Sequence, residues 1–173
     1  MPDIFLSYSR EDAAIAQTYR DAFAREGLGV WWDATLRSGE AYDEVTETAL
    51  RGAKAVVVLW SPRSVASRWV RAEATIAERN KTLMPVTIEP CERPVMFELT
   101  QTADLAHWNG ATRAPAWRAF LAAVHRFVYH GFAAGHGQQV DERMAHDLLG
   151  RGDRGVGHPA HQVGRPAGLQ DGF

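Results

Sequence analysis

At 173 residues the chain is sized for one domain, and a hydrophobic share of 46% can build a core. A net charge of −2 gives no electrostatic case for a nucleic-acid partner. The single cysteine, Cys91, excludes an internal disulfide and lies in a Pro-containing loop with no second Cys at ligand spacing, so neither a zinc site nor a redox pair is offered.

The residues after Met1 run straight into a strand, without a basic segment leading an apolar one, and no apolar run nears about 18 residues. This predicts a cytoplasmic chain with neither leader nor membrane span. Residues 4–8 read as the first strand. Ser9 then starts a capping-box pattern with Asp12, and Ile15, Ala16, Tyr19, Ala22 and Phe23 form the stripe of a first helix that Gly27 ends. Residues 28–32 read as a second strand, in which Trp31 and Trp32 point to opposite faces. A loop over 33–41 leads to a second helix marked by Tyr42, Val45 and Ala49 and closed near Gly52. Residues 54–60 are the third strand, apolar enough to be buried on both faces. A third helix is predicted over 67–80, a fourth strand over 83–88 and a weak fifth over 103–107. Trp117, Phe120, Leu121, Val124, Phe127 and Val128 mark the last helix.

Strands alternating with helices predict an α/β fold: a five-stranded parallel sheet with helices on both faces, in the flavodoxin-like order 2-1-3-4-5. In that order strands 1 and 3 are neighbours where the winding reverses, and ligands bind outside their carboxyl ends. Strand 1 ends at Tyr8, Ser9 and Arg10. Strand 3 ends at Trp60 and Ser61 and leads to Trp69 and Glu73, four residues apart and so neighbours on a helix. An aromatic beside a carboxylate at that place can hold a nucleoside; equally, Trp69 can be core and Glu73 a solvated helix charge.

Beyond residue 130 the composition changes. Ten of the fifteen glycines fall there, with Pro159, Pro166 and His136, His146, His158 and His161, which lack ligand spacing. The expected organisation is a domain over 1–130 and a Gly/His/Pro-rich tail over 131–173, mostly disordered or a linker. No metal is expected.

Fold does not choose among the chemistries this sheet hosts. A phospho-acceptor domain needs an aspartate where this chain has Leu59 and Trp60. No G-x-G-x-x-G, P-loop or G-x-S-x-G motif occurs at a strand–helix junction. Three other stretches carry a likeness. Asp3-Ile4-Phe5-Leu6-Ser7-Tyr8-Ser9-Arg10-Glu11-Asp12 resembles the first box of the Toll/interleukin-1 receptor (TIR) domain family, bacterial type. Gly29-Val30-Trp31-Trp32-Asp33, followed by Leu36-Arg37-Ser38-Gly39, is similar to its second strand and BB loop. Val58-Leu59-Trp60-Ser61, with Ser67, Trp69 and Glu73 in S-x-W-x-x-x-E spacing, resembles its third strand and the helix after it. Ser38 stands where the family often has proline, which frees the loop.

The resemblance implies an NAD+ glycohydrolase that breaks the nicotinamide–ribose bond, with NAD+ as substrate and no cofactor. It implies homo-oligomerisation with other TIR domains through the BB loop, and no nucleic-acid or membrane partner. The alternative is a non-enzymatic TIR–TIR interaction module or a mimic of host signalling. By resemblance Glu73 is the catalytic carboxylate, expected to stay ionised near pH 7, and Trp69 stacks on a substrate ring. Tyr8, Ser9 and Arg10 would line the opposite wall, near Trp60 and Ser61. Arg10, Arg63 and helix N-terminal amides are candidates for the diphosphate. Asp33 of the second strand's end is a candidate for a ribose and Gly39 of the BB loop is counted with the substrate-binding residues, while Arg10 can equally be a solvated charge, Ser67 a helix N-cap and Asp33 a residue that bonds loop amides.

Overall fold

The computed structural model describes residues 1–32 and 44–131. The chain divides into two units, Met1–Gly135 and His136–Phe173. The second lies outside the described residues, as does the tail predicted from composition. In the first unit β1 (Ile4–Ser7) is followed by a 3-10 turn (Arg10–Asp12), α1 (Ala13–Arg25), β2 (Val30–Trp31), α2 (Glu44–Gly52) and β3 (Ala55–Trp60). Then come α3 (Pro62–Ala66), α4 (Arg68–Arg79), β4 (Leu83–Thr87), β5 (Ala103–Asp104) and α5 (Pro115–His130). The five strands form one parallel sheet in the order β2-β1-β3-β4-β5, as the sequence predicts.

Strand alternation builds two cores. Ile4 and Leu6 of β1 and Ala55, Val57 and Leu59 of β3 face one side, where Tyr19 and Phe23 of α1 meet Trp117, Phe120 and Val124 of α5. Phe5 of β1 and Val56, Val58 and Trp60 of β3 face the other, covered by Leu50 of α2, Val70, Ala74 and Ala77 of α4, and Phe97. Every residue of β3 is buried, which its unbroken apolar run requires of a strand covered on both faces. Trp31 and Trp32 separate as predicted: Trp31 stacks on Phe5 at 4.6 Å on one side, and Trp32 packs with the α1/α5 core on the other.

Several local expectations change. Val45 is exposed, and α2 packs through Thr46, Ala49 and Leu50 instead. Ile15 also sits at the exposed rim of the α1 stripe. β2 and β5 shrink to two residues each, because only those positions find parallel partners on β1 and β4. The third helix predicted over 67–80 is α4, capped by Ser67 and Asn80, and a further short helix, α3, precedes it. Ser67 has extended backbone (ψ 117°) and is at once the C-cap of α3 and the N-cap of α4. Tyr42 lies outside the described residues.

Gly27 closes α1 with φ +79°, and Gly27 N–H and Leu28 N–H bond back to the carbonyls of Ala24 and Phe23, the pattern of a Schellman end. A side chain there would be forced into the left-handed region. Gly27→Ala should therefore cost about 1 kcal/mol, read as a shift in urea midpoint at unchanged slope. An unchanged midpoint would show that the turn relaxes.

Candidate functional site

The carboxyl ends of β1 and β3 are side by side, with Ser7 in register with Val58. Ser7 is the one polar residue of β1 and shares the face of Phe5, so it points under α4. There its Oγ donates to Glu73 Oε2 at 2.5 Å. Glu73 belongs to the buried stripe of α4 with Val70, Ala74 and Ala77, and only 6% of it is exposed. Burial raises its carboxyl from the ordinary 4.5 to about 7, against the opposing pull of the Ser7 hydroxyl. The expectation of a carboxylate ionised throughout at neutral pH is thereby corrected: near pH 7 both forms are populated. Trp69, one turn earlier, is 41% exposed, with the Arg68 guanidinium 5.1 Å from its ring centroid. The structure thus brings a buried acid and an exposed indole onto consecutive turns of one helix.

α4 is aimed by its start. Ser61 accepts the Ser64 N–H at 3.1 Å, and the Ser61 N–H donates to Ser64 Oγ at 2.7 Å, a reciprocal cap with Pro62 in the first turn. Ser67 Oγ accepts from the Val70 N–H at 3.4 Å. Ser67 therefore occupies the capping role that the sequence left open against substrate contact.

Other predicted site residues are committed elsewhere. Trp60 is fully buried, packs on Phe97 at 5.4 Å between centroids, and its indole N–H has no partner among the described residues. It belongs to the core, because its position in β3 shares the parity of Val56 and Val58. Ser61 is fully buried too, and its hydroxyl donates to Asp12 Oδ2 at 2.5 Å. Arg63 places Nε 2.7 Å from Asp12 Oδ1 and bonds Glu89 through Nη2, so two carboxylates already balance the charge proposed for a diphosphate. Ser9 is buried and its hydroxyl donates to Glu11, and its side chain accepts no backbone N–H of the following turn, so the predicted capping box does not form. Tyr8 is half-buried, 6.1 Å from Trp32, and Arg10 is exposed beside it in sequence. Asp33 and Gly39 lie outside the described residues.

Two residues escaped the sequence reading. Ser7 looked like part of a strand. Its signal was polarity in an otherwise apolar run of known alternation. Asp12 looked like a cap residue, yet it is 2% exposed and binds Ser61 and Arg63, about fifty positions later in the chain. Nothing local in the sequence marks such a contact. Among the described residues no group of three or more His, Cys, Asp or Glu is placed to hold a metal ion, and no helix is long and apolar enough to cross a membrane.

Solved structures share the fold. The TIR domain of a Toll-related receptor from Hydra magnipapillata superposes with a TM-score of 0.61 at 18% identity, over 72% of this chain and 99% of that one. A metazoan TIR-STING receptor from C. gigas, solved in complex with 2',3'-cGAMP, gives a TM-score of 0.51 at 22% identity, over 69% of this chain and 39% of that one. No curated protein matches. The sequence profile described as TIR domain matches residues 4–120. That match covers most of the chain and runs through every strand and into α5, so the chain belongs to the TIR domain family.

Proposed function

We propose that this TIR domain cleaves NAD+ between nicotinamide and ribose, releasing nicotinamide and ADP-ribose or a cyclic ADP-ribose. The reading is supported by one observation above the rest: Glu73 is a buried single carboxylate at the carboxyl end of β1, one helical turn from an exposed indole. Glycoside hydrolysis ordinarily takes two carboxyl groups, one of them to protonate the leaving group. Nicotinamide in NAD+ already carries the positive charge. Its C–N bond breaks with the electron pair leaving on the ring nitrogen, and the ring departs neutral without a proton. What remains is an oxocarbenium-like ribose, which a fixed negative charge in a dry place stabilises. Water then adds to the sugar carbon and releases a proton, or a nitrogen or hydroxyl of the same molecule closes a ring.

The carboxyl must be ionised for this. The pyridinium cation itself favours the charged form when it binds. kcat/KM, which reports the free enzyme, should therefore climb as pH rises through about 7, the range in which Glu73 titrates, and kcat should climb at lower pH. Trp69 offers a ring face to the substrate, and Tyr8 and Arg10, which follow β1 in the chain, are proposed to line the opposite wall.

Self-association through the loop carrying Gly39 is part of the proposal, with other TIR domains as partners and a cytoplasmic setting. A purely associative role is the second reading. It is favoured by Val95, Met96 and Leu99, which are 81%, 51% and 100% exposed around one turn after β4. Incubating the protein with NAD+, dilute and crowded, and resolving the products by chromatography separates the two. We expect nicotinamide in the parent, more on crowding, and a loss of at least about a hundredfold in Glu73→Ala. A folded parent that releases no nicotinamide under either condition would leave the associative reading alone.

A further inference from the structure

We propose that Ser7 is a positioning residue for Glu73: its hydroxyl, donating to Oε2, fixes the carboxylate at the carboxyl end of β1 and leaves Oε1 to accept from the bound sugar. The catalytic consequence rests on the NAD+-cleavage reading; the bond between the two side chains does not.

The geometry is specific. Ser7 is 1% exposed and is held in register with Val58 along β3, while β2 pairs with Ile4 and Phe5 earlier in the same strand. A hydroxyl held by a central strand is a better anchor than one held by a loop, since the backbone has no freedom to follow a shifting partner. The core on this side of the sheet includes the apolar side chains of Phe5, Leu50, Val58, Trp60 and Phe97. Among the described residues, burial and the Ser7 hydroxyl are the influences on the ionisation of Glu73, and neither is a charged group. Among the described residues, the Ser7 hydroxyl is the side-chain donor that orients this carboxylate. Hydrogen bonds to charged groups count roughly twice those between neutral ones. Removing the hydroxyl should therefore both free the rotamer and make the charged form harder to reach.

The test uses the full chain with Ser7→Ala and Ser7→Thr, and Glu73→Gln to assign the Glu73 carboxyl band in infrared difference spectra. In Ser7→Ala the titration midpoint should rise by about one unit or more. In Ser7→Thr, which keeps a hydroxyl, it should stay within a few tenths of the parent. With NAD+, Ser7→Ala should lose kcat by about tenfold or more with KM little changed, its pH profile shifting upward in step with the midpoint. An unmoved midpoint in Ser7→Ala, or equal shifts in both variants, overturns the proposal. So does a moved midpoint with kcat intact. If the parent itself does not cleave NAD+, the enzymatic reading fails while the titration still decides the Ser7–Glu73 bond. Should Ser7→Ala not fold, the unmodified chain decides it. The Ser7 hydroxyl proton should then be slow to exchange by NMR and shift as Glu73 titrates, and a proton indifferent to that titration overturns the bond.

Discussion

Between pH 4.5 and about 8, the parent chain should lose about 3 kcal/mol of folding stability relative to Glu73→Gln. The unfolded carboxyl titrates near 4.5 and the folded one near 7, so the folded state holds a proton that the unfolded state has already released. Below pH 4.5 both states are protonated and the stabilisation from the raised value is fully present. It disappears as pH rises to 7 and is gone above it, when a charged carboxylate must sit in an apolar core. The neutral amide has no such slope. Subtracting the two stability–pH curves cancels the titrations common to both, and urea unfolding at four or five pH values is sufficient. Parallel curves would mean that Glu73 is solvated in the folded chain, and the chemistry proposed for it would lose its dry setting. A confirmed slope would instead show that the fold tolerates an unfavourable charge at the place where the reaction needs it.

Asp12→Ala should destabilise the domain by about 3 kcal/mol. The carboxylate of Asp12 is nearly inaccessible, and its two oxygens take the Ser61 hydroxyl and the Arg63 Nε–H. Truncation strands the Ser61 hydroxyl, itself fully buried, without its acceptor. It also unties three junctions at once: the entry to α1, the step from β3 to α3, and, through Arg63, Glu89 beyond β4. The variant should therefore lower the stability of the domain as a whole and also weaken the start of α4, which follows α3 directly. Equilibrium urea unfolding gives the first quantity, and amide exchange in residues 68–73 gives the second. A loss under about 0.5 kcal/mol would place Asp12 with ordinary surface charges.

The sheet order was legible because it rests on patterns that repeat: apolar runs over 4–7 and 55–60, helical stripes in α1 and α5, and a glycine where α1 stops. These are properties of whole segments, and each is read from neighbours in the chain. The position of Glu73 at the end of β1 was legible for the same reason, since topology carries it there. The partners of the site were less so. Trp60 was taken for a cleft residue because it ends a strand at the right edge, yet its parity sends it into the core beside Phe97. Arg63 was taken for an anion ligand, but two carboxylates from distant segments reach it first. Ser7 and Asp12 act through contacts 66 and 49 positions away, which no local periodicity reveals. The start of α4 at Ser67 was legible as a cap, whereas α3 was not, because the five residues after Ser61 are too few to show a helical stripe.

The indoles of this chain are unevenly placed. Of the six tryptophans, Trp60 and Trp117 are wholly enclosed, Trp31, Trp32 and Trp108 are partly covered, and Trp69 alone is open to water. A neutral collisional quencher such as acrylamide therefore reaches one emitter, at the rim beside Glu73, far more readily than the rest. The red edge of the intrinsic fluorescence becomes a built-in optical gauge of whatever settles there, readable without a label and without turnover.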